Sequence, residues 1–583
     1  MQVSYQHANP YNGRESHLLR FHDEIHDQTT CILVDAGSGV DVDDLLEEDE
    51  YLSAILLTHA HLDHYRTLGS NLRDGAPIYA TSETAAAITT RLDTDAEHAD
   101  LANPGDVAAA IEPITDWTTI TSDVQIHPVP AGHAPGGCGF VVRFADGDDH
   151  HHLLATGDFT TRRAAGYPGL GTDLPVDAVL LTAATNTDFR DQLTGAVGTV
   201  LKRASAGSTV LTTSSGSTGV HLAYLLAHVA GATDLTHPVT VAGRVATLWE
   251  ALEYDHPGVE CVPTFEDPDA VLGPGRITIA GPEVPIAGSS ERLFDAIEDD
   301  AGATLVQVTS GAFDPKRSAG CMVHDYQLSN HPTEETVDSV VEALEPIHVV
   351  VTHQRGYVAD QYKDKYDSFV WATDDATQYT LYDDGWSGPP WVTEATRRRV
   401  RSRRYTDAGS DIGGSFDTAD IPLPTVERHD DVDLVAEGID TARLAEDLGL
   451  DPAVLEESPV AISEERTDES VAFADGASVS DPAEEMSRSD SPENEQCPDG
   501  STAEADDESG TDSFAEVLDR LDRIEDAVTG TRTTGTVVDA GDGVTLLRLT
   551  NESVAEDLTH GQLVELDIQT APERDASDET GSD

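Results

Sequence analysis

At 583 residues the chain is too long for one hydrophobic core, so several domains joined by linkers are expected. Its formal charge is −75, with only four lysines, and the acid excess runs through the first 400 residues as well as the tail. That excludes an ordinary protein with one acidic extension and fits a cytoplasmic protein of a halophile, because at molar salt the Debye length is about 3 Å and self-repulsion is screened. Five scattered cysteines without a CxxC pair argue against a disulfide framework or a thiolate zinc site, and the lack of a signal peptide or membrane-length apolar run argues against membrane association.

From the N-terminus, residues 16–21 and 30–34 read as strands of a hairpin, the second ending in Asp35-Ala36-Gly37. The apolar run 52–57 reads as a buried strand that leads into Thr58-His59-Ala60-His61-Leu62-Asp63-His64 and then a helix. Three imidazoles and a carboxylate at a sharp strand-to-helix turn can aim at one point. Neutral imidazole suits zinc, and the hard carboxylate among them lets a second ion sit beside the first. A mere helix cap would not need histidine at three of these positions. Residues 78–80 then read as a strand and 82–92 as a helix, with Ser82 placed to cap it.

Residues 124–130 form a further expected strand, running into Ala131-Gly132-His133-Ala134-Pro135-Gly136-Gly137, where small residues let backbone pack closely around one inward imidazole. After residues 139–144 and a turn at Asp146-Gly147, the strand 153–156 ends in Gly157-Asp158-Phe159. His150, His151 and His152, near that turn, read as partly solvated strand entry and not as a metal site. A buried strand at 177–181 is followed by alternating strands and helices: 209–211 before 219–230, 239–242 before 244–254, 277–280 before 290–297, then 305–308. Such alternation predicts a parallel α/β layer, a domain of its own. Its exit runs through Ser329-Asn330-His331-Pro332 into a helix at 333–344, a strand at 348–352 and His353.

The HxHxDH spacing at His59 to His64, with Asp35, His133, Asp158, His331 and His353 in this order, resembles the metallo-β-lactamase superfamily. The interruption before the closing half resembles its β-CASP branch, the nucleases that include ribonuclease J and the cleavage and polyadenylation specificity factor nuclease. The resemblance covers residues 1 to about 390. It implies an α/β fold: an αββα sandwich with an inserted β-CASP-like α/β domain. It also implies a site for two Zn2+, with His59, His61 and His133 on one ion, Asp63, His64 and His353 on the other, and Asp158 on both. Asp35 would orient the metal loop from behind, and His331 would stand near the scissile phosphate. By the same resemblance Asp63, Asp158 and His331 are the catalytic residues of a zinc-dependent phosphodiesterase acting on single-stranded RNA in processing or decay, with DNA as the other candidate substrate.

Three positions depart from the family's pattern. Thr182 stands where an acidic residue is usual, Gln354 follows the last histidine in place of glycine, and residues 214–219 lack an arginine after their glycine. The metal ligands are untouched, while the surroundings of the substrate change. Two other readings therefore stay open: a non-catalytic RNA-binding or scaffold subunit with a drifted site, for which Thr182 is the support, and a hydrolase of this fold acting on another substrate, against which the insertion argues.

These features divide the chain into a sandwich part at 1–187, an insertion at 188–345 and a closing part at 346–395. The segment 396–430 is an arginine-rich stretch and linker. Its Arg397, Arg398, Arg399, Arg401, Arg403 and Arg404 are RNA-contacting candidates, since arginine meets phosphate bidentately; the alternative is a patch that neutralises the protein's own acidic surface. Residues 431–456 hold two short helical patterns broken at Gly449, read as a small helical hairpin in preference to a helix-turn-helix. Residues 457–512 read as an acidic disordered linker. At 513–530 a capping box of Ser513 and Glu516 opens a short amphipathic helix, which cannot bury its apolar stripe alone and suits a partner protein or a homodimer. Residues 531–570 read as a small β module with a turn at Asp542-Gly543, and 571–583 as a disordered tail.

Overall fold

The computed structural model describes residues 1–400 apart from 100, 148, 233–236, 355, 364, 374 and 395, together with 422–456, 535–539 and 545–549. Residues 1–468 make one compact unit and 469–583 a second.

The first unit contains two seven-stranded sheets. One orders Tyr379–Asp383, Gln2–His7, His17–Asp23, Gln28–Val34, Tyr51–Leu56, Ile78–Ala80 and Ile111–Pro113; the other orders Phe369–Trp371, His348–Thr352, Ala178–Thr182, Asp149–Ala155, Cys138–Asp146, Val124–Pro130 and Thr118–Thr121. Side chains alternate along a strand, so each sheet has two faces to cover. Val3, Tyr5, Phe21, Ile32 and Leu56 of the first pack against Phe140, Val142, Phe144, Leu153 and Leu180 of the second. A fully buried Phe or Leu stabilises by about 1.5–3 kcal/mol relative to an exposed one, so this shared face holds the layers together. Behind the second sheet, Val129, Leu154, Val179 and Val349 meet Val337, Val340 and Val341 of the helix Glu334–Leu344. Behind the first, Leu18, Leu33, Ile55 and Ile78 share a core with Ala87 and Ile88 of the helix Ser82–Thr89. The four layers are helix, sheet, sheet and helix, consistent with a metallo-β-lactamase-type sandwich.

The strand Ala178–Thr182 pairs in parallel with His348–Thr352, Thr182 opposite Thr352, so an insertion separates two neighbouring strands and the chain is back in the sandwich by the helix Glu334–Leu344. The insertion carries a six-stranded sheet ordered Val259–Val262, Val239–Ala242, Ile277–Ala280, Thr209–Thr213, Ala303–Thr309 and Met322–Gln327, with every pair parallel. Its inner strands are almost wholly buried and read as runs of apolar residues interspersed with threonine. Met322–Gln327 is an edge strand with half-exposed polar residues, and its sequence carries no such run.

Several local details differ from expectation. Thr81, not Ser82, caps the helix Ser82–Thr89: its oxygen accepts from Thr84 N at 3.1 Å while its proton goes to Gly136 O at 2.7 Å, joining the helix start to the His133 loop. The helices Thr441–Leu448 and Ala453–Glu456 are divided at Gly449, which has φ +70. They do not stand alone, since Ile439, Leu444 and Ala445 join the core of Leu193 and Val197 on the helix Phe189–Ser205. Within the expected linker, Arg428 lies 4.0 Å from the Tyr254 ring centroid and donates to the carbonyls of Leu252 and Glu253.

In the second unit Gly535–Asp539 pairs antiparallel with Thr545–Leu549. The expected turn at Asp542-Gly543, the acidic segment 457–512, the helix 513–530 and the tail lie outside the described residues. Among the described residues no helix is long and apolar enough to cross a membrane.

Candidate metal centre

Past the strand Tyr51–Leu56 the chain turns through Thr58 and His59 into one helical turn, Leu62–Tyr65. Directly after the neighbouring strand Gln28–Val34 stands Asp35, fully buried with φ +56, a left-handed backbone that aspartate tolerates better than most residues. Its carboxylate accepts from Thr58 N at 2.9 Å, from Thr58 Oγ1 at 2.8 Å and from His64 Nδ1 at 2.8 Å. With the hydroxyl proton committed to Asp35, Thr58 Oγ1 accepts from His59 Nδ1 at 3.0 Å. His133 Nδ1 donates to the Asn330 carbonyl at 2.9 Å. In their neutral forms, His59, His64 and His133 thus keep their lone pairs on Nε2.

Two of those lone pairs face one atom. His59 Nε2 is 3.0 Å and His133 Nε2 is 2.9 Å from His61 Nδ1. A neutral His61 has at most one proton there, too few for both. Burial also opposes charging the rings: it holds His59 well below the usual imidazole range and pushes His61 and His133 down to about 4. Three neutral nitrogens this close fit a cation among them.

A second cluster surrounds Asp158, which follows the strand Asp149–Ala155 and the sharply turned Gly157. That glycine has φ +55, and a Cβ on it would come within 2.6 Å of the Thr58 side chain. Asp158 Oδ2 lies 3.4 Å from His64 Nε2, 3.7 Å from His133 Nε2 and 3.9 Å from His331 Nδ1, and Oδ1 lies 3.0 Å from His353 Nδ1. Burial works to raise the Asp158 carboxyl, but the charges of His353, His331 and His64 hold it well below the usual range. Asp63 is the exposed member, with Oδ2 3.9 Å from His64 Nε2. Among the described residues His64 Nε2 is buried without a hydrogen-bond partner, an orphan that a metal would satisfy. Among the described residues, donor atoms within 4.8 Å of one another occur in three sets: His59, His61 and His133; His59, His64 and Asp158; His133, Asp158 and His331. The residues present fit metal binding.

His353 also has left-handed backbone, φ +58, and its N–H donates to the Arg14 carbonyl at 3.0 Å. Arg14, 1% exposed, sends its guanidinium to the carbonyls of Gln354 and Thr373. Sequence reasoning missed Arg14, whose contacts are to backbone carbonyls and leave no motif. Thr182 bonds inside the sheet: its N–H donates to Thr156 Oγ1 at 3.2 Å and its hydroxyl is 3.5 Å from Thr352 Oγ1. His151 packs against Tyr382 and Trp386, His152 is buried, and none of the triple-histidine run belongs to the three donor sets. Of the arginine candidates, Arg397, Arg398 and Arg399 lie on a helical turn away from these sets, while Arg401, Arg403 and Arg404 lie outside the described residues.

Among solved structures the chain is similar to the crystal structure of a protein of unknown function from Enterococcus faecalis, at 14% identity over 65% of this chain and 99% of that one, with a TM-score of 0.47. No curated protein matches it. The family model described as the beta-lactamase superfamily domain matches residues 30–188, the span that holds Asp35, the His59 to His64 motif, His133 and Asp158. Residues 30–188 are therefore a beta-lactamase superfamily domain, whose clustered histidine and carboxylate donors suggest a metal-dependent hydrolase.

Proposed function

We propose that the chain is a zinc-dependent phosphodiesterase of the β-CASP type that cleaves single-stranded RNA. His59, His61 and His133 would hold one zinc ion and Asp63, His64 and His353 the other, with Asp158 shared. Bound zinc lowers the pKa of water toward neutrality and polarises phosphoryl oxygens. Asp35 holds Thr58 and His64, and through Thr58 the His59 tautomer, so that the donors need not reorganise.

The observation that carries the reading is His331. It follows the last strand of the inserted sheet, yet its Nδ1 reaches 3.9 Å from Asp158 and its ring centroid 4.9 Å from that of His133. Burial pushes its imidazole down to about 4, so near neutral pH it carries one N–H that can bond to a phosphoryl oxygen. A histidine brought to the pocket by a second layer supports a substrate gripped from two sides, as a strand in a cleft would be. The acidity of the whole chain supports a cytoplasmic enzyme working at molar salt, where attraction to RNA rests on short-range contacts. Residues 513–530 remain the proposed docking segment for a partner or second copy.

The test is an assay of metal-loaded protein on end-labelled single-stranded RNA and DNA in molar KCl. Cleavage of RNA that chelation abolishes and zinc restores is expected. Cleavage of DNA alone would reassign the substrate, and no cleavage of either by zinc-loaded protein would overturn the reading.

A further inference from the structure

Two short segments join the insertion to the sandwich, 183–188 on the way in and 328–333 on the way out. They are bonded to each other, Asn186 N to Pro332 O at 2.8 Å and Asn186 Nδ2 to Ser329 O at 2.7 Å. His331 rides on the second. Its Nδ1 is buried without a hydrogen-bond partner among the described residues and its ring only packs, 4.9 Å from that of His133, so the hydrogen bonds that place it are those of its segment's backbone.

Arg162 grips that backbone. Its Nη2 donates to the His331 carbonyl at 2.7 Å and to Asn330 Oδ1 at 2.9 Å. Asn330 Nδ2 passes the link on, donating to the His133 carbonyl at 2.9 Å and the Gly132 carbonyl at 3.3 Å, while the Asn330 carbonyl takes the proton of His133 Nδ1 at 2.9 Å. The Arg162 guanidinium carbon also lies 4.2 Å from the ring centroid of Phe189, the first residue of the helix that opens the insertion. Arg162 itself belongs to the loop that carries Asp158. One side chain therefore joins the Asp158 loop, the His133 loop, the His331 segment and the first inserted helix.

The chemistry of these contacts indicates position over stability. The acceptors of Nη2 are a carbonyl and an amide, both neutral, and a guanidinium removed from water toward neutral acceptors recovers less than one paired with a carboxylate. A planar fork that bonds at its edge and stacks on its face does suit geometry, and lysine cannot do both. We infer that Arg162 is a positioning residue that sets His331 against the metal pocket and couples the docking of the inserted sheet to catalysis. The inference rests on the phosphodiesterase reading above for its catalytic half only.

The experiment compares Arg162→Met and Arg162→Lys, each alone and combined with His331→Ala, in the full chain loaded with zinc. A misplacement of about 1 Å can cost on the order of 100-fold, so Arg162→Met should lower kcat on RNA by about 10- to 100-fold, with full zinc content and KM changed by no more than about twofold. Arg162→Lys, which keeps the cation and serves if the methionine variant does not fold, should lose less. In the His331→Ala background Arg162→Met should cost nothing more, since groups acting as one unit are not additive. Hydrogen exchange gives a readout without catalysis: amides of 328–333 should exchange faster in the variants, with 178–182 and 348–352 unchanged. A full additional loss in the His331→Ala background, or unaltered exchange at 328–333, overturns the inference. If the unsubstituted protein cleaves no RNA, the phosphodiesterase reading fails separately, and the exchange result still decides whether Arg162 holds the His331 segment.

Discussion

The metal pocket and the helical turn at 396–400 are both dense in one kind of side chain, yet the fold treats them in opposite ways. Pocket donors come from places far apart in sequence, from His59 to His353, and converge where most are buried and several have a fixed tautomer. The arginines come from one local run and meet whatever acidic or carbonyl group is nearest. Arg399 Nε lies 2.8 Å from Asp367, Arg398 Nε 3.7 Å from Glu394, and Arg397 donates to the Pro389 carbonyl at 3.4 Å. Val400, on the same turn, is buried with Ile347 and Phe369. Convergence of distant residues has to be enforced by tertiary structure and is a sign of chemistry. A run of like charge in an acidic chain is readily answered by its own surface.

The largest effect that could break this contrast is at His331. His331→Ala should lower turnover on RNA by about 10² to 10⁴ while metal content stays full, if the imidazole acts on substrate as the proposed function has it. Loss of metal in proportion to activity, read by elemental analysis of the same samples, would make it a structural ligand instead. Next comes Asp35, whose three hydrogen bonds aim the metal loop. Asp35→Asn should weaken zinc binding by about 10- to 100-fold in a chelator competition, the usual scale for a residue that orients ligands. Unchanged affinity would show that the loop keeps its shape without it.

The pocket should also show itself in acid. Burial depresses His61, His133 and His331 from 6.5 to about 4, so between those pH values the unfolded chain binds more protons than the folded one. Stability of the metal-stripped protein should therefore fall as pH drops through that window. His64 opposes the trend, because Asp35 and Asp158 outweigh the effect of burial and raise it. Melting temperatures across the window, in molar KCl, decide the net sign; a rise on acidification would contradict it. The arginine turn should give the smallest effect. Exposed pairs contribute about 0.2–1 kcal/mol before salt screening, so Arg398→Ser with Arg399→Ser should shift the melting temperature slightly and leave the salt dependence of RNA binding alone. A log-log salt slope flattened by about 1.4, roughly 0.7 for each arginine, would instead put both on phosphates.

The same contrast explains what could be read from sequence. The cluster His59 to His64 was legible because three imidazoles and a carboxylate at such short spacing are a pattern of their own, whereas Asp158, which the fold brings to them, was singled out only through the family resemblance. The strand His348–Thr352 was legible because burial on both faces leaves an apolar run at its centre. Gln2–His7 was not, although Val3 and Tyr5 alternate with polar residues, since its partners include Tyr379–Asp383 from the other end of the sandwich. Arg14, Arg162 and Asn330 were invisible for another reason. They act on backbone carbonyls, which every residue has, so no pattern of side chains announces them. The helix Thr441–Leu448 showed its amphipathic stripe, but the surface that receives it belongs to Phe189–Ser205, far away in sequence.

The most direct test of the central claim is a zinc titration of the metal-stripped full chain in molar KCl, following bound metal and cleavage of end-labelled single-stranded RNA together, with His59→Ala and Asp158→Ala alongside. Two equivalents should bind, cleavage should rise and saturate with the second, and both variants should bind fewer ions and cleave nothing. Binding of one ion or none by folded protein, or undiminished cleavage in either variant, would contradict the account.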